Sequence, residues 1–367
     1  MVEERARRKK RVWRVIQIVV SLAIAVGVFA FAIPKVADYS AVGEALGAMT
    51  WRELATLFAV MIVNIVSYWP QQTAAMPGLT LGQAAVATQT STSIANTMPG
   101  GGVVAVGVTY AMYRSWGFTN SQVALSVLVT GIWNIFMKLG LPVVALALLA
   151  FEGRAGGALL IAAVIGVAVL IAAVVMFGLV LWSKDFAQKI GTGLGRAASF
   201  LRKLIRKPSV AEWGQAAVRF RRQTIQLVSK GWLKLTLSTL ISHLALWLVL
   251  LLALRHVGVS EGEISTAQVL GVFAFGRLLT ALPITPGGVG IAELGYIGGL
   301  LLAGQDQANV PTEVFRAQVV AAVLVFRTLT YAFQIPLGGV TYLIWRRKKR
   351  WLKAPLPEGE PRVPASS

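Results

Sequence analysis

The chain has no cysteine and only two histidines, His243 and His256. The first absence excludes disulfides, thiolate metal sites and a cysteine nucleophile; the second excludes a histidine-rich metal centre. Acid is scarce too, with 15 Asp and Glu against 35 Lys and Arg. A soluble domain of 367 residues would carry far more than the 14% charged residues found here. In their place 56% of the residues are hydrophobic. Apolar runs of ~20 residues, enough to cross a bilayer, recur along the whole chain. Lipid leaves no partner for unpaired backbone, so such runs are read as helices and the chain as an all-α polytopic membrane protein. The net charge of +20 does not indicate nucleic acid. The basic residues gather at the N-terminus, in one central segment and at the C-terminus, always beside apolar spans. That placement sets orientation in the membrane and favours anionic lipid surfaces.

What is present centres on Leu282–Glu293, which reads L-P-I-T-P-G-G-V-G-I-A-E. Pro283 and Pro286 cannot continue a helix. Gly287, Gly288 and Gly290 permit backbone angles that other residues resist. Two short helices are therefore predicted to meet at a break, and a break at membrane depth must be buried in protein or line a polar cavity. Arg277 and Glu293 flank it, where charge is costly. Ala95–Gly102, A-N-T-M-P-G-G-G, has the same form earlier in the chain.

Taken in order, residues 1–14 form a basic cytoplasmic N-terminus. Val15–Ile33 is the first span, too long for a signal-peptide core. The loop 34–52 lies outside, and Glu53–Ala75 returns. Residues 79–113 read as a re-entrant hairpin broken at Met98-Pro99-Gly100-Gly101-Gly102. Ser121–Ala150 runs outward with Asn134, Lys138 and Pro142, and Gly157–Trp182 runs back, closing a first repeat over 15–183. Residues 184–230 form a basic cytoplasmic loop, with amphipathic helices on the membrane surface separated by Pro208. The second repeat, 231–350, holds the span Trp232–Leu254, a second hairpin over 264–303 and a long last span, Val314–Trp345. That span carries Arg316, Arg327 and Pro336 and is predicted to tilt or kink at the proline. A Pro-rich tail, 351–367, is expected to be disordered.

The two halves share an order: span, polar half-helix, Pro-Gly break, half-helix, proline-containing span. Pro99-Gly100-Gly101 answers Pro286-Gly287-Gly288, and Pro142 answers Pro336. The topology places the first hairpin on the cytoplasmic side and the second outside. The fold expected is thus an inverted repeat of about six full spans plus two re-entrant hairpins, with a site near the midplane. The helix N-termini after each break aim partial positive charge inward and suit an anionic group.

Arg277 is read either as an ion-pair partner of Glu293 or as a headgroup contact, with Glu293 coupling to protons or tuning the arginine. Arg327, inside the last span, is read as functional. Lys138 either joins the site or snorkels to an interface. Asn96 and the polar run Thr88–Ser93 line a groove or bond between helices. His243 is a packing residue. The acids Glu261 and Glu263 are solvated loop residues. The glycines at 287–290 do not form a phosphate-binding loop, since no Gly-Lys-Ser/Thr follows. No metal or cofactor is expected.

The break P-x-T-P-G-G-V-G-x-x-E, with Arg277 upstream and Arg327 in the last span, resembles the lysylphosphatidylglycerol synthase transmembrane, flippase-like family. The earlier P-G-G-G, followed by a helix ending in Tyr113-Arg114-Ser115-Trp116-Gly117-Phe118, is similar to that family's first motif. The resemblance covers roughly Val15–Arg350 and departs at Ile132-Trp133-Asn134 and Lys138, where the family often has acidic residues. It implies movement of lipids between leaflets, including aminoacylated phosphatidylglycerol and isoprenoid-linked lipids. The soluble aminoacyl-transferring domain is not expected after Arg350, so the chain is not expected to be an enzyme by itself. The expected ligand is an anionic lipid headgroup held by Arg277 and Arg327, with Glu293 modulating them and the half-helix termini at Gly100 and Gly287 assisting. A lipid-modifying enzyme is a possible partner, and the plasma membrane, with both termini cytoplasmic, is the expected location. The alternatives are a lipid-modifying enzyme, a small-solute or ion transporter, and a non-transporting partner of a lipid-synthesis enzyme.

Overall fold

The computed structural model of the chain describes residues 26–98, 100–153, 157–204, 212–280, 285–304, 308–348 and 351. The basic N-terminus, most of the first expected span, Pro99, Pro283 and the tail from 352 lie outside these. Among the described residues there are twelve α-helices and no strand. They are α1 (Tyr39–Gly47), α2 (Trp51–Ala75), α3 (Leu81–Thr97), α4 (Gly101–Ser115), α5 (Asn120–Phe151) and α6 (Gly157–Trp182), then α7 (Lys184–Leu204), α8 (Trp213–His256), α9 (Thr266–Leu279), α10 (Ile291–Gly304), α11 (Thr312–Arg327) and α12 (Gln334–Arg347). Among the described residues, six segments are long and apolar enough to cross a membrane: 51–75, 120–151, 164–182, 213–256, 286–304 and 312–347. The chain is a multi-pass membrane protein.

Local chemistry fixes where the helices start. Thr50 with Glu53, Thr80 with Gln83, Thr119 with Gln122 and Ser265 with Gln268 each form a reciprocal capping box. Each box satisfies backbone N–H groups that the first turn leaves orphaned. The side chains described in α6 are apolar and largely outward, with Val164 69% exposed, as a helix facing lipid requires.

Three readings are altered by packing. The basic central segment is not a pair of separate surface helices, because α8 runs unbroken for 44 residues. At 1.5 Å per residue that is about 66 Å, twice the ~30 Å of hydrocarbon. Its first turns pack on α7, where Gly191 faces Trp213 and Ala217, and Gly214 faces Gln188 and Thr192. The last span is interrupted by a π-helical turn at Thr328–Ala332, just before Pro336. Pro336 has no N–H for the Ala332 carbonyl, so the ladder widens one turn ahead of the proline. Glu263 is not solvated: it is 2% exposed and accepts the backbone N–H groups of Ser260 at 2.8 Å and Asn309 at 3.0 Å.

The helices beside the two breaks interlock. α12 packs along α3, and α5 packs along α9, so the proline-bearing helix of each half lies on the first hairpin arm of the other. Gly338 of α12 has the Ser93 side chain and the Gln89 carbonyl so close that a methyl there would overlap both. Thr90 and Thr341 hydroxyls bond at 2.9 Å, and the Ser93 hydroxyl donates to the Ile335 carbonyl at 2.9 Å. α2 and α8 pair along their length, joined by Asn64 donating to the Ser242 carbonyl and Gln71 donating to the Thr239 hydroxyl, both at 2.7 Å. Such buried polar bonds are how helices associate where lipid weakens the hydrophobic drive. In the second hairpin α9 and α10 run antiparallel in close contact, with Gly276 against Tyr296 and Gly299 against Val272.

Candidate functional site

The two breaks differ in construction. At the first, Met98 is extended and Gly100 takes a left-handed φ of 63° before α4 begins with no side-chain cap. At the second, Pro286–Gly288 makes a 3-10 turn in which Gly287 has φ 56°. The Glu293 carboxylate then folds back to accept the Gly290 N–H at 2.6 Å. The second helix N-terminus is therefore filled by its own acid, in the place expected for a ligand. Glu293 is 2% exposed.

Glu293 is paired with Arg327, not with Arg277. The Arg327 Nε donates to Glu293 Oε1 at 2.6 Å, and its Nη2 donates to the Gly287 carbonyl at 3.1 Å. The guanidinium also stacks over the Tyr331 ring, 4.5 Å from its centroid. One arginine thus holds the acid, the break backbone and an aromatic face together. Tyr331 in turn joins the two breaks. Its hydroxyl donates to the Asn96 carbonyl at 2.7 Å and reaches the Pro286 carbonyl at 3.4 Å, while Asn96 Nδ2 donates to the Tyr331 carbonyl at 3.3 Å. The sequence alone does not single out Tyr331. The signal is its spacing, four residues after Arg327, which places both on one helix face.

Between the breaks lies a cavity of about 480 Å³. Arg277, Arg327, Lys138, Asn96, Gly100, Gly101, Gly287 and Gly288 all line it. Of the other site candidates, Glu293 sits behind Arg327, Pro286 supplies a carbonyl, and Pro99 lies outside the described residues. The wall also takes Asn64, Tyr68 and Gln71 from α2, and Thr88, Ser91 and Thr92 from α3. Asn64 and Gln71 are seven apart, two helical turns on one face; inside an otherwise apolar span that spacing is the signal for them.

Two cations in this wall have no counterpart. Among the described residues, neither Lys138 nor Arg277 makes an ion pair or a side-chain hydrogen bond, and the buried Arg277 Nε is without an acceptor. They are near enough to act on one another electrostatically. Pro142, inside α5, has no N–H for the carbonyl of Lys138, so that backbone oxygen loses its helical partner as well. A second cavity of about 320 Å³ shares Gln72, Thr88, Ser91 and Asn134 with the first. It continues past Val106 and Val127, and Val106 is 47% exposed on the outer face of α4.

A site of this form, an uncompensated cation pair between two broken helices, coincides with a sequence match. The family described as the lysylphosphatidylglycerol synthase TM region matches residues 18–338. The chain belongs to that family. No curated protein matches it. The family's match runs through both breaks, both cavities and all three cavity cations, and it ends at Gly338, the glycine that seats α12 on α3.

Proposed function

We propose that this protein is a lipid translocator, moving an anionic or modified phospholipid, or an isoprenoid-linked lipid, between leaflets of the plasma membrane. The observation that carries the proposal is the pair Lys138 and Arg277, two cations without partners in a polar cavity between the breaks. Charge in the membrane interior is costly and is retained where it meets a ligand. The headgroup would occupy the 480 Å³ cavity, contacted by Lys138, Arg277 and the uncapped N-terminus of α4. Arg327 and Glu293 would shape the second break and not hold the ligand directly. The smaller cavity, reaching lipid-facing Val106, gives the tails a lateral way out between α3, α4 and α5. That route favours a lipid over a small solute, which needs no side opening.

In this reading the two halves are inverted repeats and the termini are cytoplasmic, as the basic segments require. The exchange of α12 onto α3 and α5 onto α9 supports a pseudo-twofold relation. The test is reconstitution in liposomes carrying a trace of fluorescent anionic lipid, with a membrane-impermeant quencher reporting the outer leaflet. The full chain is expected to speed exchange over protein-free vesicles. Arg277→Gln is expected to slow it about tenfold or more, the loss of one charge-assisted contact. Unchanged exchange in that variant would remove the cavity from the mechanism.

A further inference from the structure

The charges in the cavity say more about the headgroup than that it is anionic. Three cations reach the wall: Lys138 from α5, Arg277 from α9 and Arg327 from α11. Arg327 is already neutralised by Glu293 at 2.6 Å and held by the Gly287 carbonyl. No aspartate or glutamate is among the described residues that line the cavity. Two positive charges therefore stand uncompensated, one from each half of the chain. His243, fully buried nearby, adds a ring whose Nδ1 is engaged with the Thr239 carbonyl.

A phosphodiester brings one negative charge and two free oxygens. Placed here it leaves one of the two cations unpaired, at the cost of a buried, uncompensated charge. A phosphomonoester brings close to two charges and three strong acceptor oxygens. It can meet the Lys138 ammonium and the fork of Arg277 at once, with the third oxygen toward the uncapped amides of α4. We infer that the ligand of this cavity presents a dianionic phosphoryl group, as in a lipid phosphomonoester, in preference to a phosphodiester headgroup. The inference rests on the translocator reading only in placing that group on a lipid. A free phosphate offers the same chemistry.

The experiment uses the detergent-purified full chain at about pH 7, where a phosphomonoester already carries close to two charges. Binding of dioleoyl phosphatidic acid, dioleoyl phosphatidylglycerol and inorganic phosphate is measured by thermal stabilisation. Phosphatidic acid is expected to bind about tenfold more tightly than phosphatidylglycerol, one charge-pair's worth of preference. Lys138→Gln should erase that preference by weakening phosphatidic acid alone, and Lys138→Arg should restore it. Equal affinities for the two lipids in the native protein overturn the inference, as does a Lys138→Gln variant that weakens both alike. If inorganic phosphate binds in a Lys138-dependent way and neither lipid does, the dianion inference stands and the translocator reading falls. If both lipids exchange across liposomes and bind equally, the translocator reading stands and the dianion inference falls.

Discussion

Glu293 determines what Arg327 is free to do. It is buried, it accepts Arg327 at 2.6 Å, and its other oxygen holds the Gly290 amide. Removing one partner of a buried pair leaves the other charge uncompensated, at about 3–5 kcal/mol. Glu293→Gln is expected to lower unfolding stability in detergent by that order, and the Glu293→Gln/Arg327→Gln double variant should recover much of the loss. A single variant as stable as the native protein would show that the pair is not what secures the break. Tyr331→Phe removes the hydroxyl that bonds the Asn96 carbonyl and reaches the Pro286 carbonyl, and should cost about 1 kcal/mol. The charged residues are legible in the sequence, because Arg277, Glu293, Arg327 and Lys138 interrupt apolar runs. Their pairing is not. Glu293 lies 34 residues from Arg327, and the choice between Arg277 and Arg327 is made by how α11 packs on α10, which no local pattern encodes.

At the scale of elements, the breaks follow from proline and glycine, and their unequal roles follow from what surrounds them. Gly100 is left-handed in open space, so Gly100→Ala meets only the backbone penalty of about 1–2 kcal/mol. Gly287 is equally left-handed, but a methyl there would overlap the Tyr331 ring. Gly287→Ala should therefore be far more damaging than Gly100→Ala when the yields and unfolding of the two purified variants are compared. Equal losses would mean that the two breaks are not braced differently. The loop between α8 and α9 makes a second prediction. Burial pushes the Glu263 carboxyl up, but the amides of Ser260 and Asn309, the Ser260 hydroxyl and Arg255 together hold it below the usual carboxylate range. A carboxyl depressed in the fold stabilises above its unfolded pKa and loses that contribution as pH falls through the folded value. Acid should therefore destabilise the native protein more than Glu263→Gln, measured as unfolding temperature from neutral to about pH 3, where carboxylates protonate. The hairpin elements were readable because proline and glycine punctuate them. The unbroken course of α8 was not, since a run of arginines and lysines reads alike as a surface helix or as the extension of a span.

At the scale of the whole molecule, helices of the two halves pack on one another, α12 on α3 and α5 on α9, and this brings both breaks to one cavity. The spans from Glu53–Ala75 onward were legible from hydrophobic length, and the cavity from two Pro-Gly breaks, whereas 286–304, read as a hairpin arm, is long and apolar enough to cross. The bridge between them through Tyr331, and the contribution of Asn64 and Gln71 from α2, required the packed structure. The absence of cysteine makes the global arrangement directly testable, because a single introduced thiol has no background. Gly43→Cys should react with an impermeant reagent on intact cells, and Lys189→Cys only after permeabilisation; the opposite pattern would invert the proposed topology. The central claim, a positively charged cavity between the breaks, is tested most directly by Thr92→Cys, whose position lines it. With thiosulfonate reagents of equal size, the anionic one is expected to react about tenfold or more faster than the cationic one, as local potential concentrates counter-ions. That bias should vanish when Lys138→Gln and Arg277→Gln are added. Equal rates in the cysteine variant that keeps both cations, or faster reaction with the cationic reagent, would contradict the account.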